Sequence, residues 1–403
     1  MKFNSVFLLY SSILGFLVGV LAAFFLTVVN FLIHFVWTEI PSQLDLSYYP
    51  ILVGLLGGLV IGTFQLKVGD YPKTMHATLH EFKETGAVSY KGQISKNTIG
   101  ALIVLAFGAS LGPEAALAGI LGGLITWVGD HLKWTVQRRK ELLELGIGAM
   151  VATIFHAPLM GLGEAIDEEE LRKTSFKNRQ VQLILYSIST VFGIWGFSLV
   201  NQLFPKEAVF TLNFSSVEWQ LEVLWLIIPA LILGVLFGNL FLVIEKLMEA
   251  LAKKIVHPMV LALLAGLGIG VFGMISTDFL FSGEHQIHHF SEVAMEQSVL
   301  ALSFLALGKA FLTNLCFSFG WRGGKIFPAI FSSTAIGFAL SVMAPTMPSL
   351  VIGIVVAASV TVILNQPIVT ATLLLFLFPV PLFPIIFATC YGVGIFSKRW
   401  RVA

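Results

Sequence analysis

Charged residues fall in short clusters separated by long uncharged, mostly apolar stretches at 3–38, 46–66, 97–113, 115–129, 145–163, 180–205, 223–244, 255–277 and 326–397. A helix crosses the hydrocarbon core of a bilayer with about 20 apolar residues, and several of these stretches reach that length. The first, 36 residues without a charge, outruns the roughly 7 to 15 of a signal-peptide core and predicts a retained first helix. The last, Ile326 to Ser397, has room for three spans, yet Pro328, Pro345, Pro348, Pro367, Pro379, Pro381 and Pro384 interrupt it. Unbroken helices are not expected there. In lipid a broken helix persists only where protein or a water-lined cavity satisfies the freed backbone groups. The pattern predicts an all-α polytopic membrane protein with broken or re-entrant helices lining a transport pathway.

Composition narrows the class. Of 403 residues, 57% are hydrophobic and 12% charged, about half the usual charged share, and the mean hydropathy is +0.89. That is more apolar surface than soluble cores hide, which sets a soluble enzyme aside. The net charge of +1 supplies no basic field for nucleic acid. The two cysteines, Cys316 and Cys390, lie in apolar stretches and form neither a disulfide scaffold nor a metal-ligand spacing. Basic clusters at Lys133 and Arg138 to Lys140, at Arg172, Lys173, Lys177 and Arg179, and at Lys398, Arg399 and Arg401 predict cytoplasmic ends. The longest hydrophilic segment, Lys67 to Asn97, is shorter than the roughly 50 residues of a soluble domain. The expectation is one membrane domain over 1–403, in the cell (inner) membrane and in contact with its lipid.

Two features of the first half recur in the second. Gly112 in Leu111-Gly-Pro-Glu114 is followed by Pro158 in His156-Ala-Pro-Leu-Met-Gly161, and Gly324 in Gly323-Gly-Lys-Ile-Phe-Pro328 is followed by Pro367 in Asn365-Gln-Pro-Ile-Val369. Matched Gly- and Pro-interrupted segments in two halves, approximately 45–200 and 223–397, point to a repeated transporter fold with its site near the midplane. Proline suits the first turn of a helix, and glycine lets the backbone approach a ligand closely. Helix N-termini converging on one point bind an anion without a buried Lys or Arg. The competing reading is that these residues only permit close packing or kinks; the repetition favours a site.

Glu114 is the only acid between Lys96 and Asp130 and stands where a helix begins inside the membrane. An intramembrane acid is a functional candidate by default; the plainer alternative is a capping carboxylate. Two histidine groups, His76 and His80 beside Glu81, and Glu284 with His285, His288 and His289, raise metal chemistry. Neither has the HExxH spacing, and zinc needs three or four convergent ligands. Solvated or interfacial histidines are the favoured reading, no metal or other cofactor is expected, and an intramembrane metalloprotease is the distant alternative.

These segments resemble the CLC family of chloride channels and chloride/proton antiporters over about residues 50 to 397. Leu111 to Gly123 is similar to the family's GREGP segment, with Glu114 at the gating glutamate. Phe155 to Gly161, leading to Asp167-Glu-Glu-Glu170, resembles NAPL(A/M)G…EE, and Leu315 to Pro328 resembles the GxFxP segment, with Gly324, Ile326 and Pro328 on matching positions. Departures are visible: Pro113 and Ala115-Ala116 replace the family's Arg and Gly-Pro around the glutamate. The family's chloride-coordinating serine falls near Pro72 or Lys73, and its tyrosine falls at Ile386, with Tyr391 about one turn further on. Lys325 and Arg322 either raise local anion affinity or snorkel to water.

The resemblance implies two inverted-topology repeats, a homodimer with one pathway per subunit, and an anion site built from Gly112, Pro113, Gly324, Ile326, Phe327, Pro328, Ile386 and Pro72. Glu114 would be the gate and external proton carrier. Glu168 aligns with the family's internal proton glutamate, with Glu164 one helical turn earlier and Asp167 the register alternative; a solvated helix end is the plainer reading of that acidic run. The function implied is exchange of an inorganic anion, chloride foremost, for protons. A passive chloride channel and a fluoride or other anion transporter are the alternatives. The family's cytoplasmic regulatory domains are not expected, and neither are soluble nucleotide or nucleic-acid partners.

Overall fold

The computed structural model describes residues 5–44, 46–131, 146, 149, 152, 176–204, 212, 221–375 and 377–402. Helix α1, Ser5–His34, runs without a break through a π-helical turn, Phe35–Glu39, into α2, Ile40–Leu44. One continuous helix thus fills the first uncharged stretch and runs past Glu39, the charge that closes it. Next come α3 (Tyr49–Val68), α4 (Met75–Thr85), α5 (Gln93–Ala106), α6 (Glu114–His131) and α7 (Phe176–Leu203). The second half holds α8 (Ile227–Lys254), α9 (Pro258–Ile275), α10 (Gln286–Val293), α11 (Val299–Ser318), α12 (Ile326–Met343), α13 (Pro348–Leu364), α14 (Pro367–Leu374) and α15 (Phe383–Val402). Among the described residues, 7 helical runs are long and apolar enough to cross a membrane, as a multi-pass protein requires.

The proline-rich final stretch resolves into four helices, α12 to α15, rather than three spans. Its prolines start helices more than they break them. Pro348 and Pro367 open α13 and α14, and Pro328 and Pro384 lie in the first turns of α12 and α15. There the missing N–H removes no intrahelical hydrogen bond and the fixed φ suits the helix. Asn365, at φ 56°, ends α13 in the left-handed region that asparagine tolerates.

The helices sort by depth. In α12 the apolar window is 72% buried within the protein, whereas in α8 and α9 it is 28%. Residues such as Leu236, Val243, Leu264 and Val271 point outward, which in water would be an aggregation hazard and in lipid is the required outer surface. The centre is held by small-residue seams. Gly54 of α3 and Gly266 of α9 sit with their backbones in mutual contact, as do Gly19 of α1 with Gly193 of α7, and Gly238 of α8 with Ser359 of α13. Lipid tails are as apolar as leucine, so van der Waals contact between close backbones replaces the hydrophobic effect in joining helices.

Candidate anion site at two broken helices

Two loops, one from each half, meet at the centre. Helix α5 is capped by Phe107, after which Gly108 turns the chain at φ 82°; helix α11 is capped by Phe319, after which Gly320 turns it at φ 94°. Each loop then leads into an 18-residue helix, α6 from Glu114 and α12 from Ile326, starts that lie 212 residues apart. The loops pair as an antiparallel bridge: Gly112 N–H donates to Gly324 O at 2.8 Å, and Gly324 N–H to Gly112 O at 2.9 Å.

Glu114 is 1% exposed. Its side chain crosses from the start of α6 to the start of α12, where Ile326 N–H donates to Oε1 at 3.0 Å, and the amides of Phe327 and of Glu114 itself also face the carboxyl. Oε2 has no hydrogen-bond partner. A Cβ on Gly112 or on Gly324 would overlap this carboxylate. The close approach that glycine was expected to give a ligand is therefore used by the protein's own acid. The unpaired N–H groups and partial positive charge of a helix start are matched by a carboxylate lying where a small anion would lie.

Gly112, Pro113, Glu114, Gly324, Ile326 and Phe327 thus come together, with Pro328 buried in the first turn of α12. Ile386 and Pro72 are buried as well. Ile386 is buried against Gly353 of α13 beside Phe378, and Tyr391 is 54% exposed and stacks on Phe387. Pro72 is buried in the segment before α4, whose next residue, Lys73, donates its N–H to Asn97 Oδ1 at 2.8 Å. Lys73 Nζ and Ser89 in turn hold Glu81. Partial burial alone would raise the Glu81 carboxyl, but these hydrogen bonds and the lysine charge outweigh it and keep it below the usual carboxylate range. Glu164 and Glu168, with Asp167, lie outside the described residues.

Lys325 and Arg322 are both paired. Lys325 Nζ makes an ion pair with Glu245 of α8 and sits 4.2 Å from the Phe317 ring centroid, while Arg322 Nη2 meets Asp70 at 2.6 Å. Among the described residues no three His, Cys, Asp or Glu side chains converge as a metal site would need. His288 and His289 each lie 3.8 Å from Glu292.

One positioning residue escaped the sequence reading. Lys309 of α11 is fully buried, and its Nζ donates to the carbonyls of Asp278, Leu280 and Phe281 at 2.8, 3.0 and 3.2 Å, 4.6 Å from the Phe331 ring centroid. One turn on, Thr313 Oγ1 lies 3.0 Å from Ser110 Oγ in the first broken loop. Helix α11 therefore anchors both that loop and the segment before α10. The available signal was that Lys309 is the only charge between Glu296 and Arg322, a position that membrane energetics marks as exceptional.

Broken, apolar helices meeting at a buried carboxylate define a multi-pass membrane protein with a polar centre. Residues 69–396 match the model of the voltage gated chloride channel family, and the chain belongs to that family. Its relatives include the H(+)/Cl(-) exchange transporter ClcA of Salmonella agona (strain SL483), 29% identical over 260 residues, 62% of this chain and 52% of that protein. The same transporter from Salmonella newport (strain SL254) matches to the same extent. The chain spans about half the length of these curated relatives. Among solved structures, a slow cyanobacterial Cl−/H+ antiporter superposes with a TM-score of 0.80 at 19% identity, covering 99% of this chain and 96% of that one. A CLC-type fluoride/proton antiporter gives 0.78 at 20% identity, covering 98% and 96%. Both likenesses are of fold.

Proposed function

We propose that this protein exchanges chloride for protons, with Glu114 as both gate and proton carrier. The observation that carries the reading is the Glu114 carboxylate lying on the Ile326 amide between the two broken helices. Ionised, Glu114 competes with an incoming anion for the helix ends. Protonated, it loses its charge and its claim on them, and the anion takes its place. Since occupancy of one place alternates between a carboxylate and chloride, proton and anion move in opposite senses, which is exchange. The names of the ClcA relatives support the same reading.

The finer parts of the reading rest on family likeness and on charge. Glu168, with Glu164 near it, is proposed to pass the proton to the cytoplasm. Halves 45–200 and 223–397 are proposed as inverted repeats, supported by the antiparallel Gly112–Gly324 pairing. The functional unit is proposed as a homodimer with a pathway in each subunit, in the inner membrane. Lys253 and Lys254 end α8 and by the positive-inside rule set that end in the cytoplasm; the segment after α9 then faces outward.

The test is flux in liposomes. A chloride gradient imposed on reconstituted protein is expected to drive protons against their own gradient, read as luminal pH alongside luminal chloride, and Glu114→Gln is expected to abolish proton movement while anion flux remains. Chloride flux without proton movement in the unmutated protein would make it a channel. Flux of fluoride alone would reassign the anion.

A further inference from the structure

A cavity of about 370 Å³ opens beside the gate, space for roughly ten waters at about 30 Å³ each. Its inner wall is Leu111 and Pro113, the residues flanking Gly112, and it stops one residue short of Glu114. The segment between α9 and α10 also lines it, with Phe281, Ser282, Gly283, Glu284, His285 and Gln286. The Glu284 side chain is 14% exposed and its Oε1 lies 3.3 Å from His285 Nε2; its charge reaches Glu114. Two buried acceptors near this cavity lack partners, Oε2 of Glu114 and Oε1 of Gln286. Neither the repeat nor the anion site accounts for an acid and a histidine on this wall.

Resting on the exchange reading above, we propose that Glu284, with His285, is the relay that hands protons between outside water and Glu114. The step moves a single proton: the O–H bond on the Glu284 carboxyl breaks, an O–H bond forms at Glu114 through water in the cavity, and His285 or outside water reprotonates Glu284. The other ionisable groups facing this site are few. His34 of α1 also lines the cavity, 3.8 Å from Glu39. Lys309 of α11 lies behind the wall with its ammonium held by three carbonyls, Asp278 O among them, and His288 lies one turn along α10 opposite Glu292. The Lys309 clamp fixes the backbone of the wall, which holds the Glu284 carboxyl at the cavity edge.

The experiment uses the full chain in liposomes, with chloride and fluoride each tried as the driving anion and pH varied on the outward side alone. Glu284→Gln is expected to slow coupled exchange by about tenfold or more, at unchanged proton-to-anion ratio, and to move the outward-side pH profile to lower pH. Glu284→Asp, which keeps a carboxylate, is expected to restore most of the rate. In a Glu114→Gln background, expected to carry anion without protons, adding Glu284→Gln is expected to leave anion flux unchanged. A wild-type rate and pH profile in Glu284→Gln, or slowed anion flux in the double variant, would overturn the relay while leaving exchange intact. An unmutated protein that moves no protons would overturn both.

Discussion

At the residue scale, the geometry around Glu114 turns on two missing side chains. The three atoms nearest a methyl at position 324 all belong to the far end of the Glu114 side chain, a flexible group rather than backbone. Gly324→Ala is therefore expected to fold normally yet evict the carboxylate from the α12 start, shifting transport toward uncoupled anion flow by several-fold. Paired chloride and pH recordings against the unmutated protein check this, and an unchanged coupling ratio would count against the competition described above. Lys309 makes the opposite kind of prediction. Lys309→Met strips the ammonium that donates to three carbonyls, at up to about 1–3 kcal/mol for each buried group left unpaired. The expected result is a lower Tm in detergent with faster hydrogen exchange confined to the segment before α10. Glu114 was legible in the sequence because a lone acid in an apolar run has few explanations. Lys309 was equally solitary, but its carbonyl partners come from a segment about 30 residues away, and one chain of letters does not show what a side chain reaches.

At the scale of elements, the helices were legible where apolar length decides and illegible where packing does. Glycine spacing in α3 and α9 carries no mark of which helix lies opposite; that is set by the approach of Gly54 to Gly266. A direct contrast tests it. Gly266→Ala drives a methyl into the backbone of Gly54, whereas Gly268→Ala, two residues along, meets only the tips of Leu315 and Leu312. The first is expected to lower stability by about 1–3 kcal/mol or more, read as lost folded yield and lower Tm in detergent, and the second to be tolerated. The prolines teach the same lesson from the other side. Counted as interruptions they suggested fragmented spans, but position within the turn decides, and Pro328, Pro348, Pro367 and Pro384 stand where a helix accepts one.

At the scale of the molecule, Gly112 and Gly324 lie 212 residues apart, as do the helix starts Glu114 and Ile326, with a positive-φ glycine after the cap in each half. What the repeat does not duplicate is the acid: Glu114 stands in one half and Ile326, giving its amide, in the other. Pro72 and Ile386 were placed by likeness alone; Ile386 lies beside Phe378 against Gly353 and Pro72 is buried before α4, and motif alignment transfers a position and not the local chain path. The charge-based orientation has a direct check. Cys316 and Cys390 are buried, so a membrane-impermeant thiol reagent sees chiefly introduced cysteines. Glu296→Cys, exposed after α10, is expected to label on intact cells, and Lys253→Cys, exposed at the end of α8, only after permeabilisation; the reverse pattern would invert the topology.

The seam between Gly112 and Gly324 is made wholly of main-chain groups. Ordinary side-chain replacement elsewhere does not delete it, and of the twenty residues proline alone would remove one of its donors outright. A joint of that kind is inherited with the chain path rather than with any particular sequence. Divergence in the residues around it can reshape the site while the two halves stay in register, as a lock is re-pinned without moving its bolt.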